Sequence, residues 1–407
     1  MRSVKPYLTT LFFAIFGFIL AISLVIFPEA SFAASLRGLK IWWDVVFPAL
    51  LPFFITSEIL LGLGLAHFMG VLLEPFMRPV FNIPGSGSFV WTMGFASGYP
   101  VSAKLTTRLR ERKLISRAEG ERLVSYTTTA DPVFITGAVA VGFFHSVKVG
   151  IVLLAVHYAS AILVGLVMAF HNRKEPGTPH QMNGKEARLY QALRAMHRAR
   201  IQDGRAFGKL MGDAVAASLQ LQLMVGGFMI FFSVFLSLLM KLHIITFFSH
   251  LAGLCLSLAG YPAEASQAFV FGLFEVTLGA KQASELFSSD LAVFVIASGS
   301  AILAWGGLSV HAQVASILAE TDIRYLPFLI GRTLHAVFSF FLTYTAGSYL
   351  YKRLQEYTTL AWAPNLDTSR MSLWTLPSYQ ALSTLACAGI LILALFILRL
   401  SFLLYRK

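Results

Sequence analysis

The stretch GFASGYPVSAKL, residues 94–105, places Gly94, Gly98 and Pro100 beside Ser97, Ser102 and Lys104 within an otherwise apolar run. Glycine and proline there interrupt a helix, because glycine admits turn dihedrals and proline favours the first turn of a new helix. A broken helix exposes free N–H groups at one end, which attract anions, and free carbonyls at the other, which attract cations. A second interruption follows in FEVTLGAKQ, residues 274–282, with Glu275 and Thr277 at its tip and Lys281 after them. A third lies in YTTTADPVF, residues 126–134, where Pro132 biases Asp131 out of the helical region. The fourth is the run 297–313, which carries Ser298, Gly299, Ser300, Gly306, Gly307, Ser309, His311 and Gln313.

The candidate binding residues are therefore Ser97, Gly98, Tyr99, Ser102 and Lys104 in the first interruption, with Thr128, Thr129 and Asp131 after it. From the second half come Glu275, Thr277, Lys281, Ser298, Ser300, His311 and Gln313. Asp131 and Glu275 either take a coupling cation (Na⁺ or a proton) or pair with Lys104 and Lys281 to hold the fold. Lys104 either meets substrate or snorkels to the interface. The Thr127–Thr129 run serves the cavity or helix–helix hydrogen bonding, and His311 is a site residue or a packed histidine. Asp131 and Lys104 stand beside the two breaks of the first half, so substituting either is expected to impair transport. No cofactor and no metal site is expected; the coupling ion is left open.

These residues need a scaffold that can bury interrupted backbone. Of 407 residues, 57% are hydrophobic and 13% charged. Apolar runs long enough to span a bilayer occur at 7–27, 45–66, 122–144, 149–170, 211–240, 291–319, 325–350 and 378–402. Residues 67–83 and 243–260 read as interfacial pieces. Residues 86–110 and 264–289 read as re-entrant hairpins. Unpaired peptide groups do not face lipid, so four interruptions at membrane depth must converge on a shared polar chamber.

The order of span, interfacial piece, hairpin, broken span and span occurs twice. Residues 89–105 line up with 269–282 after small gaps: each runs Phe-Val, then a glycine, a polar break and Ala-Lys. Counting spans from an inside N-terminus opens the first hairpin to the cytoplasm and the second to the outside. The expected fold is an all-α polytopic membrane protein with an inverted-topology repeat, two re-entrant helical hairpins and two broken transmembrane helices. The expected divisions are an N-terminal span at 1–30, a first repeat at 31–170, a basic linker at 171–210, a second, inverted repeat at 211–352 and a C-terminal loop and span at 353–407.

Net charge is +12, but it is concentrated. Residues 171–210 carry nine Lys/Arg against three Asp/Glu, and residues 103–122 carry seven against three. Both stretches fall on the cytoplasmic face of this topology, as the positive-inside rule requires, so nucleic acid is not the partner. Lys352 and Arg353 fall outside, a mild violation. The first apolar run is longer than a signal-peptide core, which predicts a retained span. Leu189, Leu193 and Met196 share a helical face ringed by Arg188, Arg194, Arg198 and Arg200. That face reads as an amphipathic helix on the anionic inner leaflet or as a solvated connector. Cys255 and Cys387 give no disulfide or metal spacing and are expected packed and reduced.

The strings SLRGLKIWWDVVFPALLPFFITSEILLGLG (35–64), LLEPFMRPVFNIPG (72–85), GFASGYPVSAKLTTRLR (94–110) and AVAVGFFH (138–145) resemble sporulation-specific integral membrane proteins with a nucleoside-recognition (Gate) domain. The resemblance runs from about residue 30 to about 350 and is closest in the first half. It implies an architecture similar to the concentrative nucleoside transporters and a role late in endospore formation. The implied cargo is dipicolinic acid, carried across the outer forespore membrane from the mother cell. The span count, not the resemblance, places both termini in the cytoplasm, with Arg2 and Lys5 at one end and Arg406 and Lys407 at the other. The amide-rich first hairpin of nucleoside transporters is absent, and Lys104, Lys281 and exposed helix N-termini suit a small dicarboxylate better. The expected partners are that small anionic substrate and the lipid bilayer; a homo-oligomer or other sporulation membrane proteins fit equally. The competing readings are a nucleoside or base transporter and a non-transporting spore-envelope assembly protein. No zinc-ligand pair, Gly-x-Ser-x-Gly nucleophile motif, phosphate loop or dinucleotide fingerprint is present, so an enzyme is not expected.

Overall fold

A computed structural model describes residues 5–179, 188–258, 260–288 and 290–360. The expected span at 378–402 and Cys387 lie outside the described residues, which form helices and connections and contain no strand. Among the described residues, four helices are long and apolar enough to cross a bilayer, or up to six if each bent pair counts as one span.

The first half begins with α1 (Lys5–Ile26) and α2 (Pro28–Ile41). They meet at a 102° bend. Phe27 leaves the helical region at φ −118°, and Pro28 opens α2 where no N–H is needed. The sequence reading had no element at 28–41, because this segment is too polar to count as a span. After a π-helical turn at Trp42–Val46 come α3 (Phe47–Gly62) and α4 (Leu65–Phe81), bent by 80° at Gly64, whose φ is +88°. The bend turns 65–81 across the direction of α3, as an interfacial piece would lie.

The first hairpin is α5 (Gly87–Ser97) and α6 (Tyr99–Glu111), packed side by side. The break is Gly98, at φ 87° and ψ −174°, a region essentially reserved for glycine. Next, α7 (Arg117–Thr127) starts with a capping box between Ser116 and Glu119. It unwinds over Thr128–Asp131 and resumes as a π-helical segment at Phe134–Phe143, followed by α8 (Val147–Met168). The chain then forms α9 (Arg188–Asp203), which packs on α4 and buries Ala192.

The second half has the same element order. It comprises α10 (Phe207–Lys241), α11 (Ile244–Leu258) and the hairpin α12 (Ala265–Phe274) with α13 (Val276–Ser284). The broken pair α14 (Ala292–Trp305) and α15 (Gly307–Leu318) follows, then α16 (Tyr325–Leu342), a π turn at Thr343–Gly347 and α17 (Ser348–Leu360). The second hairpin breaks at Glu275, which is extended at φ −146°, ψ 125°. The second broken span kinks at Gly306 and Gly307, both at positive φ.

Packing between the halves is reciprocal. The outgoing arm α6 lies on α15, and the corresponding α13 lies on the π segment Phe134–Phe143. Likewise α7 packs on α16 and α14 on α8, while α3 packs on α10. One apolar cluster runs through both halves, from Leu50 and Phe81 to Val314 and Phe328. Outside it, Phe18, Val25, Phe247 and Leu258 are exposed, as lipid-facing side chains must be. Cys255 corrects the sequence reading: it is exposed on α11, whose outer face also carries Phe247, Leu251 and Leu254.

Candidate functional site

The four interruptions meet. An added Cβ on Gly98 would stand 3.3 Å from Asp131 Oδ2, so the first hairpin tip lies on the first unwound span. An added Cβ on Gly307 would stand 2.9 Å from both Glu275 Cα and Phe274 O, so the second pair of breaks touches backbone to backbone. Tyr99 joins the halves: its hydroxyl donates to Leu303 O at 2.7 Å, at the end of α14.

Helix ends buried together leave carbonyls and N–H groups that need partners. Four side chains bind the carbonyl ends into one ring. Tyr158 spans Phe95 O at 2.9 Å and Ala130 O at 3.0 Å, joining α5 to the first unwound segment. Arg332 donates to Ser125 O and Ala304 O, each at 3.1 Å, joining α7 to α14. Tyr99 ties the first hairpin to α14, and Trp305 Nε1 donates to Leu273 O at 3.1 Å, tying α14 to α12.

The N–H ends are treated in two ways. Asp131 Oδ1 accepts from Phe134 N at 2.8 Å, and Glu275 Oε2 accepts from Leu278 N at 2.7 Å. Both carboxylates cap the half-helix that follows them, three residues on, as an N-cap should. The half-helices α6 and α15 begin at Gly98 and Gly306 and have no side-chain cap. Two of the four half-helix N-termini are thus buried without a side-chain cap, and the protein's own carboxylates occupy the other two.

The remaining candidates divide by place. Ser102 Oγ bonds Thr128 Oγ1 at 3.0 Å, linking hairpin and unwound span. Ser97 Oγ and Thr129 Oγ1 are buried beside the breaks and have no hydrogen-bond partner among the described residues. Ser298 bonds back to Phe294 O at 2.8 Å, and Ser300 meets Ser339 at 2.6 Å, both as packing contacts. His311 is packed between the Tyr325 hydroxyl, 2.7 Å away, and Trp305 O at 3.2 Å. Gln313, two residues further along α15, is also buried. Thr277 and Lys281 line a cavity of about 370 Å³ with Arg37, Ser233, Ser237 and Glu275. This space, between α2, α10 and the second hairpin, reaches the convergence point at Glu275.

Lys104 stands apart from that point. Its ammonium pairs with Glu320 Oε2 at 2.6 Å, in the turn between α15 and α16. The same turn receives Arg110, bidentate on Asp322 at 2.8 Å, and sends Arg324 to the fully buried Glu121, at 2.6 and 2.9 Å. The three pairs clasp the first hairpin and α7 to residues 320–324. Lys104 occupies the sixth position after its break, as Lys281 does after Glu275. However, the space beside Lys104 holds only about 10 Å³.

The clasp has a defined acid limit. The Arg110 bonds hold the Asp322 carboxyl below its ordinary value of 3.8. Burial pushes Glu121 up, but its bonds from Arg324 and His171 prevail and the net direction is down. A depressed carboxyl contributes stability that is present above its unfolded pKa and lost as pH falls through the folded one. Melting of the detergent-solubilised protein is therefore expected to show no clasp-dependent loss between pH 8 and pH 5, with the loss appearing below about 4. A clasp-dependent drop near pH 6, absent from the Asp322→Asn variant, would contradict this.

Sequence reasoning missed Arg37, Tyr158, Trp305 and Arg332. Arg332 carried a usable signal, an ionisable residue inside the apolar run 325–350, the same signal that marked Asp131.

A family model described as Gate, nucleoside recognition, matches residues 43–175, from the π turn before α3 to just past α8. The chain is 48% identical over 335 residues to the sporulation integral membrane protein YlbJ of Bacillus subtilis (strain 168). That alignment covers 82% of this chain and 81% of its relative. The chain belongs to the YlbJ family of sporulation integral membrane proteins. No solved structure matches it. In this YlbJ-family chain the Gate match takes in the first hairpin, the first unwound span and two of the ring residues, Tyr99 and Tyr158. Arg332 and Glu275 come from the half beyond it.

Proposed function

We propose that the protein transports a small anionic metabolite, with dipicolinate as the specific cargo, across the outer forespore membrane during sporulation. The carrying observation is the convergence of four helix interruptions, one of which, the second hairpin tip at Glu275, lines a cavity of about 370 Å³ together with Arg37, Lys281 and Glu285. That volume suits a small-molecule site. Two uncapped half-helix N-termini at the breaks favour a carboxylate ligand, and at the cavity Arg37 and Lys281 balance Glu275 and Glu285. The reciprocal packing of the halves supports an inverted repeat whose two-fold axis lies in the membrane plane. The halves then rock around the breaks and expose the site to each side in turn. Both termini are cytoplasmic, and no chemical conversion takes place.

The test is uptake of labelled dipicolinate by the full chain in liposomes, with and without Na⁺ and proton gradients. Saturable uptake is expected, and the gradient that drives it identifies the coupling ion. A nucleoside or base transporter is the second reading, favoured by the nucleoside-recognition match. Uptake of neutral nucleosides, unaffected by Arg37→Ala and Lys281→Ala, would select it. Absence of uptake of either class would instead support an assembly role.

A further inference from the structure

Arg332 is the largest fully buried side chain among the described residues. A guanidinium has five N–H donors and cannot lose its charge. Here one donor meets Ser125 O, one meets Ala304 O, and the group lies 5.8 Å from the Phe328 ring centre. Its Nε–H is buried and has no partner among the described residues. A buried cation with neutral partners only is costly unless something completes its shell.

The protein's own carboxylates do not complete it. Asp131 and Glu275 are the acids at the breaks, and each faces a helix N–H group. No ion pair joins either of them to Arg332 among the described residues. The two lysines flagged by the sequence are placed elsewhere: Lys104 is held by Glu320, and Lys281 is exposed at the cavity. Among the described residues, Arg332 is the one that brings a full positive charge to the ring of carbonyl ends, through Ala304, two residues before the Gly306–Gly307 kink. That kink lies against Glu275, where the cavity ends.

We propose that Arg332 is the charge partner of the transported anion, its open Nε–H forming one arm of the fork that a carboxylate accepts. Arg37 and Lys281 attract the anion into the cavity, and Arg332 holds it when the site is closed. Arginine suits this role because its planar fork binds carboxylate in a bidentate manner while its other N–H groups keep the two half-helix ends together. This assignment rests on the anion-transport reading.

The test uses the full chain in liposomes, with dipicolinate as probe, for wild type, Arg332→Gln and Arg332→Lys. Size exclusion and melting confirm folding. For Arg332→Gln, KM should rise at least tenfold; Arg332→Lys, which keeps the charge and loses the fork, should fall between. A folded Arg332→Gln protein with wild-type KM and only a reduced maximal rate overturns the assignment and leaves Arg332 a structural clamp. If Arg332→Gln does not fold, wild-type protein is labelled with phenylglyoxal and Arg332 is read by mass spectrometry. Saturating dipicolinate should slow its modification at least tenfold; a rate that dipicolinate leaves unchanged overturns the proposal. Wild-type liposomes that take up no anion defeat the transport reading and this assignment together. A transporting wild type beside an Arg332→Gln variant of unchanged KM defeats the assignment alone.

Discussion

Gly307→Val is expected to abolish transport and to destabilise the protein by about 2–5 kcal/mol, combining the strain of a left-handed residue with overpacking. Gly307 sits at φ +79°. Any Cβ there meets Glu275 Cα and Phe274 O at 2.9 Å and Glu275 N at 3.0 Å. These neighbours are backbone atoms and cannot rotate away. The hairpin tip and the kink must separate, which opens the ring at Trp305 and removes Glu275 from the end of the cavity. Gly137 is the control, because a Cβ there meets nothing within 4 Å. Gly137→Ala should melt and transport like wild type. Equal behaviour of the two variants would show that the second pair of breaks does not need its close contact.

Asp131→Asn is expected to reduce uptake at least tenfold with little loss of stability. Asparagine keeps an acceptor for Phe134 N–H, so the cap survives while the charge is lost. Asp131→Ala loses the cap as well and should melt lower by about 1 kcal/mol. If Asp131 served only as a cap, uptake would follow melting, and the asparagine variant would transport normally. Insertion into the membrane should be unchanged in both, because the surrounding span remains apolar.

The breaks were legible in the sequence because the signals for breaking a helix are local. Gly98 needs dihedrals that other residues do not tolerate, and Pro132 restricts the residue just before it. Glu275 stood out as a charge inside an apolar run. What joins the breaks was not legible. Tyr99 reaches Leu303 and Arg332 reaches Ser125 across about half the chain, and nothing near either residue announces the partner. Lys104 shows the same limit in the other direction. Its neighbourhood resembles that of Lys281, yet Glu320, 216 residues later, holds it at the clasp. The helix at Pro28–Ile41 was missed because it gains its stability by packing on α10 rather than from an apolar run of its own.

The most direct test is an electron cryomicroscopy map of the full chain in a lipid nanodisc with dipicolinate. The account predicts helices interrupted at Gly98, Thr128–Asp131, Glu275 and Gly306, adjoining one another, with ligand density between the second hairpin tip and Arg332. Continuous helices through 86–110 and 264–289, or dipicolinate bound away from all four interruptions, would contradict it.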